Sequence, residues 1–410
     1  LRHRFKNHLA LHFLLELDMN ELHRLQLEDI VLGESFPWDI MDSFGRLLMR
    51  QGACVKNGAH AKEMVERGMY IEKSLYTKLP PVDINRISGG SNREPEPQLK
   101  AESVSVLHSI NLAVQRLGVL FKNIRKFPDA RANILEIVKI LRTAIQLNED
   151  LALASIQLNQ ESGDYGERHC VDTAILAIIV AQAMGKSSQE IDVLAAAALT
   201  MNISMRELQV KLQEQKTAVS DEDKLAIRNH PLDSIDILFE AGIEDAEWLL
   251  YVLLHHEHED GSGYPVGNVK GEIPQIAKIL TLADGFCARI SSRGYRKSTL
   301  PSVALRDIFI ENKSHADPAL AAYFIKVLGL YPPGTFVQLK NRDIAIISHR
   351  GADHSSCIAH SLVKANGELY AAPIKRDTSQ ESYKIAEAIY PVEADVHVNL
   401  QQIWGTLASA

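Results

Sequence analysis

The stretch Leu253–Pro265, LLHHEHEDGSGYP, constrains this chain more than any other. The apolar run Tyr251, Val252, Leu253, Leu254 leads directly into His255 and His256. Glu257, Asp260 and the turn Gly261-Ser262-Gly263-Tyr264-Pro265 follow. Apolar residues running up to paired imidazoles predict a buried helix end that delivers both rings into an interior site. Gly261 and Gly263 supply φ > 0 or close backbone approach, and Pro265 stiffens the exit. Paired imidazoles at a helix end, with carboxylates near by, can bind a divalent metal. They can equally be core histidines satisfied by hydrogen bonds, and the segment alone leaves both readings open. Glu257 and Asp260 are candidates to orient the rings.

The 410 residues suffice for two or three domains with a sizeable core. Lys+Arg total 44 against 52 Asp+Glu, a net charge of -8, which argues against a general nucleic-acid binder. No uninterrupted apolar run is long enough to span a membrane. The first residues, LRHRFKNHLALHFLLEL, are basic and then apolar, but charges interrupt them and no small-residue cleavage site follows. They are expected to form a short leading helix. Cys54, Cys170, Cys287 and Cys357 are far apart and make no CxxC pair, so free thiols and a cytoplasmic location are expected.

Along the chain, residues 1–75 read as a small β-rich module. Asp42-Ser43-Phe44-Gly45 is its candidate hairpin turn, and Val65–Tyr70 a short helix stopped by Gly68. Residues 76–100, rich in Pro, Gly, Ser and charge, read as a linker. Residues 101–160 carry a helical period broken at Phe127-Pro128-Asp129, giving two helices with Asp129 as cap of the second. This pair could pack on the next domain or form a homodimer seam. Residues 161–330 predict an all-α bundle. Its helices are Cys170–Met184, Glu190–Asn202, Glu222–Asn229, Ser234–Ala241, Ala246–His256, Gln275–Ser291 and Pro301–Asn312, with Gly185 and Gly242 as stops. Residues 331–410 read as a C-terminal β extension closed by a short helix.

The wording His255-His256-Glu257, two residues, Asp260-Gly261-Ser262-Gly263-Tyr264-Pro265 resembles the signature of the HD-GYP family, helical metal-dependent phosphodiesterase domains of bacterial cyclic-di-GMP signalling. The likeness runs from about Tyr165 to Arg296. It implies a multi-domain α+β protein: an all-α HD-type helical bundle flanked by the small N-terminal β-rich domain and the C-terminal β extension. It also implies metal ligands at His169, at His230 in Asn229-His230-Pro231, at His255 and His256, and at Asp284 in Leu282-Ala283-Asp284-Gly285-Phe286. Arg293 and Arg296 match the family's phosphate-contacting arginines, with Gly294 where the family has proline. Gly261, Gly263, Tyr264 and Pro265 match a loop that contacts diguanylate-cyclase partners.

One position departs. The family pattern Ala-Ala-Leu-Leu-His-Asp-Ile-Gly-Lys aligns with Ala197-Ala198-Leu199-Thr200-Met201-Asn202-Ile203-Ser204-Met205. Met201 replaces the histidine, Asn202 the metal-bridging aspartate and Met205 the lysine, while Tyr165 stands where some members carry a glutamate. A neutral amide cannot bridge two dications as a carboxylate does, and a thioether suits iron or manganese poorly. At most one metal (Fe, Mn or Zn) is therefore expected, on His230, His255 and His256, with the Asn202 carbonyl as a weak fourth ligand, or none. Three readings follow: a degenerate module that binds cyclic-di-GMP or a partner, a phosphodiesterase with a reduced metal site, and a scaffold that has lost both activities.

Overall fold

Amphipathic period and side-chain caps build the first helices. Helix α1 (Val106–Asn123) buries Leu107, Ile110, Val114, Leu117 and Leu120 at three- and four-residue spacing, and the Ser105 hydroxyl caps it at His108 N. Helix α2 (Ala130–Leu147) is capped at Ala132 N by Asp129, which adopts φ 50, a left-handed conformation that Asp tolerates. A third helix, α3 (Glu149–Leu158), follows at once because Asn148 both ends α2 and caps α3 at Leu151 N. The expected pair is thus three helices.

The computed structural model describes residues 105–159, 163–215, 219–267, 273–291, 298–311, 318–351, 356–394, 396 and 398–409, with 22–25, 30, 36, 38–41, 47–55, 58, 61, 65 and 69–72 nearer the N-terminus. The expected leading helix, the Asp42–Gly45 turn and the linker lie outside them. The chain divides into two units, residues 1–101 with 244–250 and residues 102–243 with 251–410. In the first, strands β1 (Leu22–Arg24), β2 (Ile40–Met41), β3 (Leu47–Met49) and β4 (Tyr70–Glu72) pair in the order β1-β4-β2-β3. Tyr70 belongs to β4, not to the end of a helix, because it pairs with Arg24 on one side and Met41 on the other.

In the second unit, helix α4 (Tyr165–Ala183) is buried on all sides almost throughout, its polar first half included, which makes it the centre of the helical body. Helix α5 (Ser188–Thr200) packs on it. Ala195 to Ala198 are fully buried, and their small side chains let the two backbones approach. A capping box between Ser187 and Glu190 starts α5. Helices α6 (Arg206–Glu214), α7 (Asp221–Glu240), α9 (Gln275–Ile290), α10 (Pro301–Glu311) and α11 (Pro318–Leu328) follow, and of α8 (Ala246–Leu254) residues 251–254 belong to this unit and 246–250 to the first. Gly185 and Gly242, at φ 71 and φ 81, turn the chain out of α5's approach and α7's end. The two helices expected around His230-Pro231 are one, α7, with Pro231 inside it. All four cysteines are free thiols.

Strands β5 (Phe336–Leu339), β6 (Ile344–Arg350), β7 (Cys357–Val363), β8 (Leu369–Asp377) and β9 (Ile385–Ala388) form an antiparallel sheet in the order β8-β7-β6-β5-β9. The sheet is fastened to the helical body. Gly334, at φ 94, brings the chain so close that a Cβ there would lie 3.0 Å from Ala154 O. Arg350 on β6 reaches Asp150 at 2.5 Å, Glu149 at 2.6 Å and the Val327 carbonyl at 2.9 Å. A guanidinium fork holding two carboxylates and a carbonyl is not replaced by solvent without loss. Arg350→Ala is expected to cost about 2 kcal/mol. A urea midpoint within 0.2 M of the native protein's would contradict this docking contact, whereas Arg350→Lys should fall between the two.

Candidate metal centre

The two histidines that define the site are set by helix carbonyls that the helix itself does not use. Pro231 has no N–H, so the carbonyl four residues earlier, Ile227 O, is left open inside α7. The His230 ring takes it: Nδ1 lies 2.6 Å from Ile227 O. At the end of α8, where the last carbonyls have no helical partner, His255 Nδ1 lies 2.6 Å from Val252 O. A carbonyl only accepts, so each Nδ1 carries the proton and each Nε2 presents a lone pair. Those two Nε2 atoms face each other at 3.0 Å. Two lone pairs this close repel unless a proton or a cation lies between them. His256 completes the group: ligand atoms of His230, His255 and His256 all lie within 4.8 Å of one another. The donors fit a divalent cation.

Electrostatics keeps these rings neutral. Burial, with His255 beside it, pushes His230 down to about 3. Burial also lowers His255 and His256, against the pull of Asp284's charge. Asp284 behaves oppositely. Burial raises it, but the hydrogen bond and charge of His169, with His256 and His255, outweigh that and hold its carboxyl well below the ordinary carboxylate range. His169 Nε2 donates to Asp284 Oδ1 at 2.8 Å, and the Tyr165 ring stacks on the His169 ring at 5.7 Å between centroids.

These groups share a cavity of about 180 Å³ lined by Tyr165, His169, Asn202, Met205, Gln209, Leu212, Ile227, His230, His256, Tyr264, Asp284 and Ala288. Asn202 and Met205 stand on its wall, while Met201 is fully buried and its carbonyl accepts from Ser234 Oγ at 2.9 Å. The Asn202 carbonyl of the backbone is already engaged, accepting from Met205 N at 2.9 Å. His169 and Asp284 are on the wall too, bonded to each other. Arg293 and Arg296 lie outside the described residues. Tyr165 aside, sequence reasoning missed Gln209, Leu212, Ile227 and Ala288. For Gln209 and Leu212 the signal was the four-residue spacing of Leu208 and Leu212, which marks the unread helix α6.

In the glycine-rich loop Tyr264 turns inward, its ring 4.6 Å from the His256 ring and 6.2 Å from the His230 ring. Gly263 causes this: a Cβ there would lie 2.5 Å from His256 O and from His258 N, so only glycine lets the loop fold back on the histidines. Tyr264 N closes it by donating to His256 O at 3.0 Å. Gly261 turns at φ 75, and the Tyr264–Pro265 peptide is cis. Glu257 does not orient the imidazoles. Its carboxylate accepts from Val266 N at 2.6 Å and Gly267 N at 3.2 Å and so latches the loop. Asp260 accepts from Ser262 N at 3.0 Å and shapes the same turn.

The family profile of the HD domain matches residues 137–320. The cyclic di-GMP phosphodiesterase PA4108 of Pseudomonas aeruginosa is 23% identical over 331 residues, 77% of this chain and 77% of that protein. These matches support an HD-GYP assignment for the helical domain. Cyclic di-GMP phosphodiesterase PdeB of Borreliella burgdorferi is 26% identical to this chain over 186 residues, 45% of it and 49% of PdeB. Among solved structures, Bd1817, an HDG"Y"P protein of Bdellovibrio bacteriovorus, has a TM-score of 0.47 and 14% identity, over 75% of this chain and 99% of that one.

Within this site the role of Pro231 is testable apart from the candidate metal-binding histidines. Pro231→Ala restores a backbone N–H that competes for Ile227 O, so His230 loses its fixed tautomer. The metal-free protein should be no less stable, since Ala favours helix. Manganese or zinc affinity should fall about 10-fold or more, measured by competition with a chromogenic chelator. Unchanged affinity would mean that the freed carbonyl does not set the ring.

Proposed function

We propose that this chain is a degenerate HD-GYP protein that binds cyclic di-GMP, a partner protein or both, with weak or no hydrolysis. The single observation that carries the reading is Asn202 on the cavity wall, beside His169, His230, His256 and Asp284. A carboxylate at that position would neutralise and space two cations, and an amide does neither. The remaining donors are asymmetric. His230, His255 and His256 converge on one point. His169 and Asp284 satisfy one another instead. One divalent ion (Fe, Mn or Zn) at the three imidazoles accounts for the donor set, and such an ion would supply Lewis-acid polarisation of a phosphate oxygen or of a water.

The chain's own residues then divide the work of binding. The Asp284 carboxylate holds the His169 N–H and lends its field to His255 and His256. Tyr264 covers the imidazoles and restricts water at His256. Met205, a thioether where a lysine would sit, leaves that wall without a cation. Arg293 and Arg296, by their place in the family motif, are the proposed nucleotide contacts on the far side. The partner-docking role of Gly261, Gly263, Tyr264 and Pro265 is proposed in altered form. Solvent sees Glu259, Asp260, Ser262 and Val266, while Tyr264 belongs to the cavity. We also retain the division into module 1–75, linker 76–100, helices 101–160, HD-GYP body 161–330 and β extension 331–410 as a proposal.

A second reading, a cyclic di-GMP phosphodiesterase with a reduced metal site, is favoured by the three convergent imidazoles, since a lone three-histidine site can activate water. Hydrolysis separates the two. With manganese or ferrous iron added, the native chain should convert cyclic di-GMP at least about 100-fold more slowly than the variant Met201→His with Asn202→Asp, a difference typical of losing a bridging group. Native turnover equal to that of the double variant, read by chromatography of the linear dinucleotide and GMP, would reject the degenerate reading in favour of the second.

A further inference from the structure

The cavity wall contains no lysine or arginine among its described residues. A phosphodiester carries negative charge, and its recognition asks for a cation with free N–H donors. Most guanidiniums beside the wall are already committed. Arg206, next to Met205, bonds Glu167 at 2.8 Å and lies 3.6 Å from Asp164. Arg289, next to Ala288, donates to Gly285 O at 3.0 Å. Arg168, next to His169, is buried and reaches Asn111 at 3.2 Å.

Arg228 is different. It lies two residues before His230 on α7, is exposed, and forms no ion pair or hydrogen bond among the described residues. Its guanidinium carbon sits over the Tyr264 ring, 5.7 Å from the centroid. That ring is itself part of the cavity wall and stacks on His256. The guanidinium is therefore held at the cavity's edge, one ring away from the imidazoles, with its donors unspent.

We propose that Arg228 is a phosphate-binding cation of this cavity, carried on Tyr264 and donating to a phosphodiester oxygen of the bound ligand, beside the contacts proposed for Arg293 and Arg296. It brings to the cavity's edge a cation that Met205 does not supply on the wall. Only the choice of cyclic di-GMP as ligand rests on the proposed function; the requirement for an anion-binding group rests on the cavity. A guanidinium already held near an aromatic ring loses less freedom when it binds than one free in solvent. Lysine keeps the charge at this place and loses the fork.

The test uses the full chain loaded with manganese and three proteins, native, Arg228→Ala and Arg228→Lys. Two probes are titrated by calorimetry, cyclic di-GMP and the simple phosphodiester bis(4-nitrophenyl) phosphate. Because Arg228 is exposed, metal content and melting temperature should be the same in all three. Arg228→Ala should bind each probe at least about 10-fold more weakly, with a shallower dependence on salt, and Arg228→Lys should lie between. Equal affinity of native protein and Arg228→Ala for both probes overturns the proposal. If the native chain binds the simple phosphodiester but not cyclic di-GMP, the nucleotide reading fails and Arg228 is judged on the simple probe alone. If it binds neither, both are overturned.

Discussion

Two helix carbonyls, each denied its usual partner, hold this site together. Pro231 frees Ile227 O in the middle of a helix, and the end of α8 frees Val252 O. Each is taken by an imidazole Nδ1 at 2.6 Å. The consequence is chemical as well as structural. Both rings are locked in the tautomer that aims a lone pair at the other, 3.0 Å away, in a place where burial keeps them unprotonated. The surrounding elements can be understood as support. The buried helix α4 carries His169, the alanine-rich face of α5 lets α4 and α5 approach, and the loop after α8 folds back so that Tyr264 covers the rings.

Charge decides what such a cluster can do. Across the cavity the only described carboxylate is Asp284, and it spends one oxygen on His169. Asn202 and Met205 add no charge. The site thus keeps the donors for one cation and lacks the anion that would draw a second close to it. On the proposed reading, binding of a phosphodiester survives this change because it depends on donors around the rim, whereas efficient cleavage, which depends on two centres acting on one phosphate, does not.

The histidines and the aspartate of the cavity were legible in the sequence, their setting less so. His255 and His256 were legible because an apolar run ends on them and a glycine turn follows. His230 and Asp284 were legible by their family motifs, and the strand-rich C-terminal region by its alternation and turns. The single helix through Pro231 was not legible, because proline normally ends a helix and the compensating His230 bond is invisible in a one-dimensional pattern. Glu257 looked like a partner of the histidines, but the nearest unsatisfied groups to its carboxylate are the backbone N–H groups of Val266 and Gly267, which appear only when the loop closes. Tyr264 followed from the same closure. Arg228 gave no signal at all, since only the ring beneath it sets it apart from any other exposed arginine on α7.

The most direct measurement is a count of bound ions, by anomalous scattering from crystals grown with excess manganese. The account predicts one peak, bounded by the Nε2 atoms of His230 and His255 and by His256, with His169 still bonded to Asp284. Two peaks of comparable height, with Asn202 or a carboxylate from another segment between them, would contradict it.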